Sequence, residues 1–210
     1  MESASIAAHG PGHVDDHHHG PPEAHQSARI DRTILGILLF ILSEIMLFGA
    51  FFAAYFFLRV VADPASWPPE GIELPVLIAG INTAVLISSS FTIHYALEAI
   101  KHNNHRGLKL GLTLTWLLGA TFLFIQINEY IHIGFTPRDG AFGSIFFSLT
   151  GLHGAHVFVG LLLLTFANIR AYRGHFGPEQ KDHLGVEVPG IYWHFVDIMW
   201  IIVFLAVYII

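Results

Sequence analysis

Five long apolar runs organise the chain, each near or above the ~20 residues that a helix needs to cross a bilayer core. They cover about residues 33–58, 75–100, 108–133, 142–169 and 190–210. Arg32 and Arg59 bracket the first run, and Pro75 suits the opening turn of the second. Connections are short except at 59–74 and 170–189, so no second soluble domain fits between the runs. No internal repeat is visible. Ahead of the first run, residues 1–32 are polar, rich in His, Gly, Pro and Ala, and without periodicity. Such a stretch has too little apolar surface to offset ordering entropy and predicts a disordered tail. No apolar stretch precedes a cleavage-like site there, so it does not read as a signal peptide. The predicted architecture is an all-α integral membrane protein, with a tail at 1–32 and five transmembrane helices within 33–210.

Charge gives this arrangement a direction. Arg29, Arg32, Lys101, Arg106, Lys109, Arg170, Arg173 and Lys181 all fall on one side of the predicted spans, and only Arg59 and Arg138 on the other. The positive-inside rule then puts the N-terminus in the cytoplasm and the C-terminus outside. Composition agrees with a membrane setting: 12% of residues are charged, about half the roughly 25% of a soluble domain. A net charge of −6 with no basic run argues against nucleic acid as a partner. The absence of cysteine excludes disulfides, thiolate metal sites and iron–sulfur clusters. Of the 15 histidines, His9, His13, His17, His18, His19 and His25 sit in the tail. They read as a solvated stretch, or as a weak metal binder without fixed geometry.

Ionisable groups inside the runs carry the candidate chemistry, because charge in hydrocarbon is costly. Glu44 lies about eleven residues into the first run, roughly 16 Å deep at helical rise. It reads either as a proton-binding or lipid-facing carboxyl, or as an acid hydrogen-bonded to a neighbouring helix. His153 and His156, three apart in the fourth run, share a helix face at comparable depth. Two imidazoles alone do not make a metal or haem site. The alternative is interhelical hydrogen bonding, with Gly151 and Gly154 allowing close approach. Glu129-Tyr130-Ile131-His132 has the Glu-x-x-His spacing of di-iron bundles, but no second copy exists. Glu98 lies at the opposite end of its span from Glu129, so the two cannot share a metal pair. Glu98, Glu129, His194 and Asp197 therefore read as buried polar structural groups, with His194 and Asp197 spaced to pair. Tyr192 and Trp193 read as an interfacial aromatic anchor. Two stripes of small residues, Gly36, Ser43, Ala50 and Gly80, Ala84, Ser88, predict close helix packing.

Several strings together resemble a known family. They are Ser43-Glu44-Ile45-Met46-Leu47-Phe48, Trp67-Pro68-Pro69, Asn82-Thr83-Ala84 and Gln126-Ile127-Asn128-Glu129-Tyr130, followed by Gly151-Leu152-His153-Gly154-Ala155-His156 and Tyr192-Trp193-His194-Phe195-Val196-Asp197. In order, from Thr33 to the end, they resemble the short five-helix prokaryotic form of haem–copper oxidase subunit III. The resemblance implies an accessory chain with no redox centre of its own. Haem and copper would reside in partner subunits I and II, cytochrome c would donate electrons to the complex, and the site would be a bacterial plasma membrane. It implies two helix groups splayed into a V, spans one and two against spans three to five, with phospholipid in the cleft. Glu44 would line that cleft as a carbodiimide-reactive carboxyl, and Arg59, His153 or His156 would contact lipid or the cleft. The family role is to sustain proton uptake and stability of the catalytic subunit, and to offer oxygen an apolar route. A quinol oxidase or a nitric-oxide-reductase-associated relative is the nearer alternative. A stand-alone proton-coupled carrier is the distant one, since carriers usually show repeated halves.

Overall fold

A bilayer core offers no hydrogen-bond partner to the backbone, so apolar spans must satisfy it internally as helices. The computed structural model describes residues 32–62, 67–69, 71–176 and 183–210. Of the predicted tail at 1–32, residues 1–31 lie outside the described residues, and Arg32 already belongs to the first helix. The helices are α1 (Arg32–Val61), α2 (Val76–Lys101), α3 (His105–His132), α4 (Gly140–Tyr172) and α5 (Leu184–Phe204), the last continuing into a π-helical turn at Leu205–Ile209. All five are long and apolar enough to cross a membrane. No strand occurs among the described residues.

The largest departure in element bounds is α5, which begins six residues before the predicted start at 190. Pro189 lies inside it. A proline lacks the amide hydrogen that would bond four residues back, but near a helix start this removes only one bond. The helix therefore runs through a residue that reads as a breaker. The consequence is positional: Tyr192 and Trp193 sit two turns into the helix and are both buried. The aromatic anchor predicted for them is corrected to a core role.

Packing is closest between α2 and α3. Their tight connection turns through Asn103 in a left-handed conformation (φ 55°). The Asn104 side chain accepts the Gly107 amide at 3.0 Å and caps α3. A Cβ added at Gly111 would fall 2.7 Å from the Ala96 Cβ and 3.0 Å from its backbone, so glycine permits the contact. The predicted small-residue stripes do not play this part. Gly36, Ser43, Ala50, Ala84 and Ser88 are exposed on the isolated chain, and nothing lies within 4 Å of a Cβ at Gly36. With apolar residues on every face, spacing alone does not say which face turns inward.

The helices also group differently from the expected division. α2 packs on α3 and α5, whereas α1 packs on α4 and α5 and has no substantial contact with α2. The pairing of spans one and two as a separate arm is thus corrected: the small residues Ala96 and Ala99 draw α2 onto α3, and α1 is held from the other side. Only Phe48 and Tyr55 of α1 are buried.

Candidate functional site

The α1–α4 seam brings together an acid and a base. Phe48 anchors α1 there, with its ring centroid 4.9 Å from that of His156. One turn earlier on the same face, the Glu44 Oε2 lies 2.8 Å from the His156 Nε2. The His156 Nδ1 lies 2.8 Å from the Leu152 carbonyl one turn back. A carbonyl only accepts, so Nδ1 carries a hydrogen, which fixes what Nε2 can do. Nε2 and the Glu44 carboxyl then share a single further proton, placed on the carboxyl oxygen or on the ring. The pair is nearly enclosed, with side-chain exposures of 11% for His156 and 17% for Glu44. The Tyr192 hydroxyl donates to the His156 carbonyl at 3.3 Å and ties the seam to α5. Of the two sequence readings of Glu44, the geometry is that of an acid bonded to a neighbouring helix.

His153 does not join this pair. Three residues advance a helix by about 300°, leaving an offset of roughly 60°. Here that offset falls across a packing boundary: His156 turns to α1, while His153 turns into the core. Its ring stands 5.8 Å from Phe122 and 4.8 Å from Trp200 by centroids, fully buried. Gly151 and Gly154 do not provide close approach, since a Cβ at either would meet nothing nearer than 3.9 Å.

The other predicted residues are dispersed. Asp197 is buried and accepts from the Ser90 hydroxyl on α2, and the same oxygen lies 3.4 Å from the His194 Nδ1. Ser90 thus stands between the two side chains expected to pair directly. Ser90→Ala should leave the Asp197 carboxyl without a donor. A cost of about 1–3 kcal/mol is expected for a stranded buried acceptor. It would be read as earlier thermal loss of the chain from detergent-solubilised material. A Ser90→Ala chain melting with the wild type would show the hydroxyl to be incidental.

Glu98 is corrected from buried to exposed: it occupies the last turn of α2, 3.6 Å from the Lys101 Nζ and 3.5 Å from the His102 Nδ1. Glu129 is buried and accepts from the Tyr208 hydroxyl at 2.7 Å. His132 bonds back to the Asn128 carbonyl at 2.8 Å, so the Glu-x-x-His spacing does not yield a pair. Arg59 donates to the main-chain oxygen of Ile210, beside a cavity of about 240 Å³ that Tyr55 and Trp67 also line. Among the described residues, no group of three or more His, Cys, Asp or Glu side chains is placed to hold a metal ion.

Sequence reasoning missed one constellation. The Trp193 indole donates to the Ser89 hydroxyl at 2.8 Å. Its ring lies in a socket that exists because residues 119 and 160 are glycine. A Cβ at Gly119 would fall 2.6 Å from Trp193 Cζ2, and one at Gly160 2.8 Å from Cε3. The signal was present as isolated glycines inside apolar helices, which usually mark a close approach.

The chain as a whole also has relatives. The family described as cytochrome c oxidase subunit III matches residues 18–210. A cytochrome c oxidase subunit 3 from Thermostichus vulcanus is 41% identical over 206 residues, spanning 98% of this chain and 96% of its own. One from a Synechocystis species is 40% identical over 91% of this chain and 78% of its own. The Drosophila melanogaster protein of the same name is 40% identical over 82% of this chain and 67% of its own. Identity at this level, running the length of the five-helix bundle, makes the chain a member of the cytochrome c oxidase subunit III family.

Proposed function

We propose that this chain is the accessory third subunit of a proton-pumping cytochrome c oxidase in a bacterial plasma membrane. The observation that carries the reading is the Thermostichus vulcanus match, which covers nearly all of both chains and so includes every helix described above. The chain adds no redox centre; haem and copper belong to subunits I and II beside it, and cytochrome c delivers electrons to the complex. The N-terminus faces the cytoplasm, as the distribution of Lys and Arg favours. Its contribution is to support proton uptake, stability and oxygen access of the catalytic subunit. Phospholipid fills apolar recesses between its helices and its neighbours.

Within this role Glu44 and His156 are the candidate proton-handling pair. They sit at the edge of α1, whose exposed Leu39, Met46 and Phe57 leave a wide apolar face for lipid or a partner subunit. Arg59 is a candidate lipid head-group contact, and His153 belongs to the interior.

A mild-detergent pull-down of the tagged chain, followed by a reduced-minus-oxidised optical spectrum, tests the assignment. Haem bands should co-purify with two larger membrane subunits, and the band positions report the oxidase type. A colourless chain purifying alone from oxidase-containing membranes would overturn it.

A further inference from the structure

From the end of the bundle nearest the α3–α4 connection toward its middle lie buried polar groups that none of these roles uses. The Asn82 Oδ1, both amide atoms of Gln126, the Glu129 Oε2, the Tyr130 hydroxyl and both ring nitrogens of His153 are sealed from the surface with no protein hydrogen bond of ordinary length and angle. Asn82 and His153 are fully buried, and Gln126 is 1% exposed. Buried groups of this kind ordinarily have a partner, and where the protein supplies none, ordered water does.

These groups are contiguous. The Asn82 amide donates to the Phe122 carbonyl at 3.2 Å. One turn beyond Phe122, Gln126 lies beside the hydroxyls of Tyr130 and Tyr208. Tyr130 also lies near Thr150, whose own hydrogen goes to the Phe146 carbonyl at 2.6 Å. His153 follows Thr150 by one turn of α4. At the other end, Glu129 uses one oxygen for Tyr208 and leaves the second unpartnered.

The chemistry of the set selects its ligand. Asn82 Oδ1 only accepts, the Gln126 amide both donates and accepts, and a neutral imidazole presents one donor and one acceptor. A metal ion would meet hydrogen-bond donors, and an anion would meet the Glu129 carboxyl. A small molecule that both donates and accepts fits every member, and it has a way in. Glu129 lines a cavity of about 200 Å³ together with Glu73, Asn128 and His132. That is room for several waters at about 30 Å³ each.

We propose that this part of the core is an internal water site, a short file of water entering past Glu129 and ending at His153. The file joins the elements that carry these groups through solvent, at the atoms that make no direct hydrogen bond.

Radiolytic footprinting of membranes containing the full chain tests this, because short X-ray pulses convert bound water into hydroxyl radicals that modify adjacent side chains. His153 and Tyr208 should gain oxygen severalfold faster than Phe48 and Trp193, which are fully buried in the α1–α4 seam and in the glycine-framed socket. Modification of His153 no faster than of Phe48 would overturn the proposal. Gln126→Leu removes the middle of the file and should lower His153 modification severalfold while leaving Trp193 unchanged; undiminished His153 modification would also overturn it. Should that variant not accumulate, the wild-type comparison still decides. The measurement does not depend on assembly with an oxidase, so its failure would leave the family role standing.

Discussion

Trp193→Ala should cost about 3–5 kcal/mol, the range for emptying a buried tryptophan site, and the chain should be lost from its complex on detergent washing. The ring is fully buried and donates to Ser89 from a socket framed by Gly119 on α3 and Gly160 on α4. Inside a bilayer, lipid tails are as apolar as leucine, so the loss comes from packing and the hydrogen bond rather than from exposure to water. The opposite error should also be visible. Gly119→Val places atoms where the indole already stands, and overpacking of this kind typically costs about 1–3 kcal/mol. Because both changes act on one contact, Gly119→Ala combined with Trp193→Phe should destabilise less than the sum of the two alone. Retention of the chain after a graded temperature step in detergent would read all of these. Trp193→Ala retained like the wild type would remove the socket as the central lock of the bundle.

The second large effect concerns the Glu44–His156 pair. His156→Leu leaves a carboxyl against hydrocarbon, and Glu44→Leu leaves an imidazole nitrogen there, each at about 1–3 kcal/mol for a stranded polar group. Replacing both partners with leucine removes the penalty along with the bond, so the double variant should be more stable than either single one. Turnover then separates two roles. If the pair handles protons, the double variant should assemble yet lose oxidase activity as turnover continues. Full, sustained activity in a well-assembled double variant would reduce the pair to packing. A hydrophobic carbodiimide gives an independent reading: Glu44 should be labelled faster in His156→Leu than in the wild type, and labelling should vanish in Glu44→Gln. Labelling that persists in Glu44→Gln would locate the reactive carboxyl elsewhere.

The number and order of the spans were legible because an apolar run of bilayer length has few other uses. The direction each helix faces was not. Gly36, Ser43 and Ala50 recur as regularly as any packing stripe, yet α1 turns them outward. Against lipid the outward face is as apolar as the inward one, so the amphipathic signal that orients a helix in water is missing. The acid and base of the candidate site were visible as residue types. Which of His153 and His156 would meet Glu44 depended on the angular position of a seam that only the packing of α1 against α4 defines. Trp193 was misplaced for a related reason: Pro189 hid the first turns of α5, and a tryptophan just after a supposed boundary looks interfacial. Ser90, which ends up between His194 and Asp197, carries no mark in sequence, because its partners are 104 and 107 residues away.

The way α1 is held bears on how the protein is made. Its neighbours are α4 and α5, not the helix synthesised next, and Glu44 lies 112 residues ahead of the histidine that partners it. At about 5–20 residues per second of translation, His156 emerges roughly 6–22 s after Glu44. During that interval the first helix rests in the membrane with its carboxyl unmatched, while α2 and α3 can already close on one another. The second and third helices can thus pack as a hairpin while the helix made first still waits for its partners.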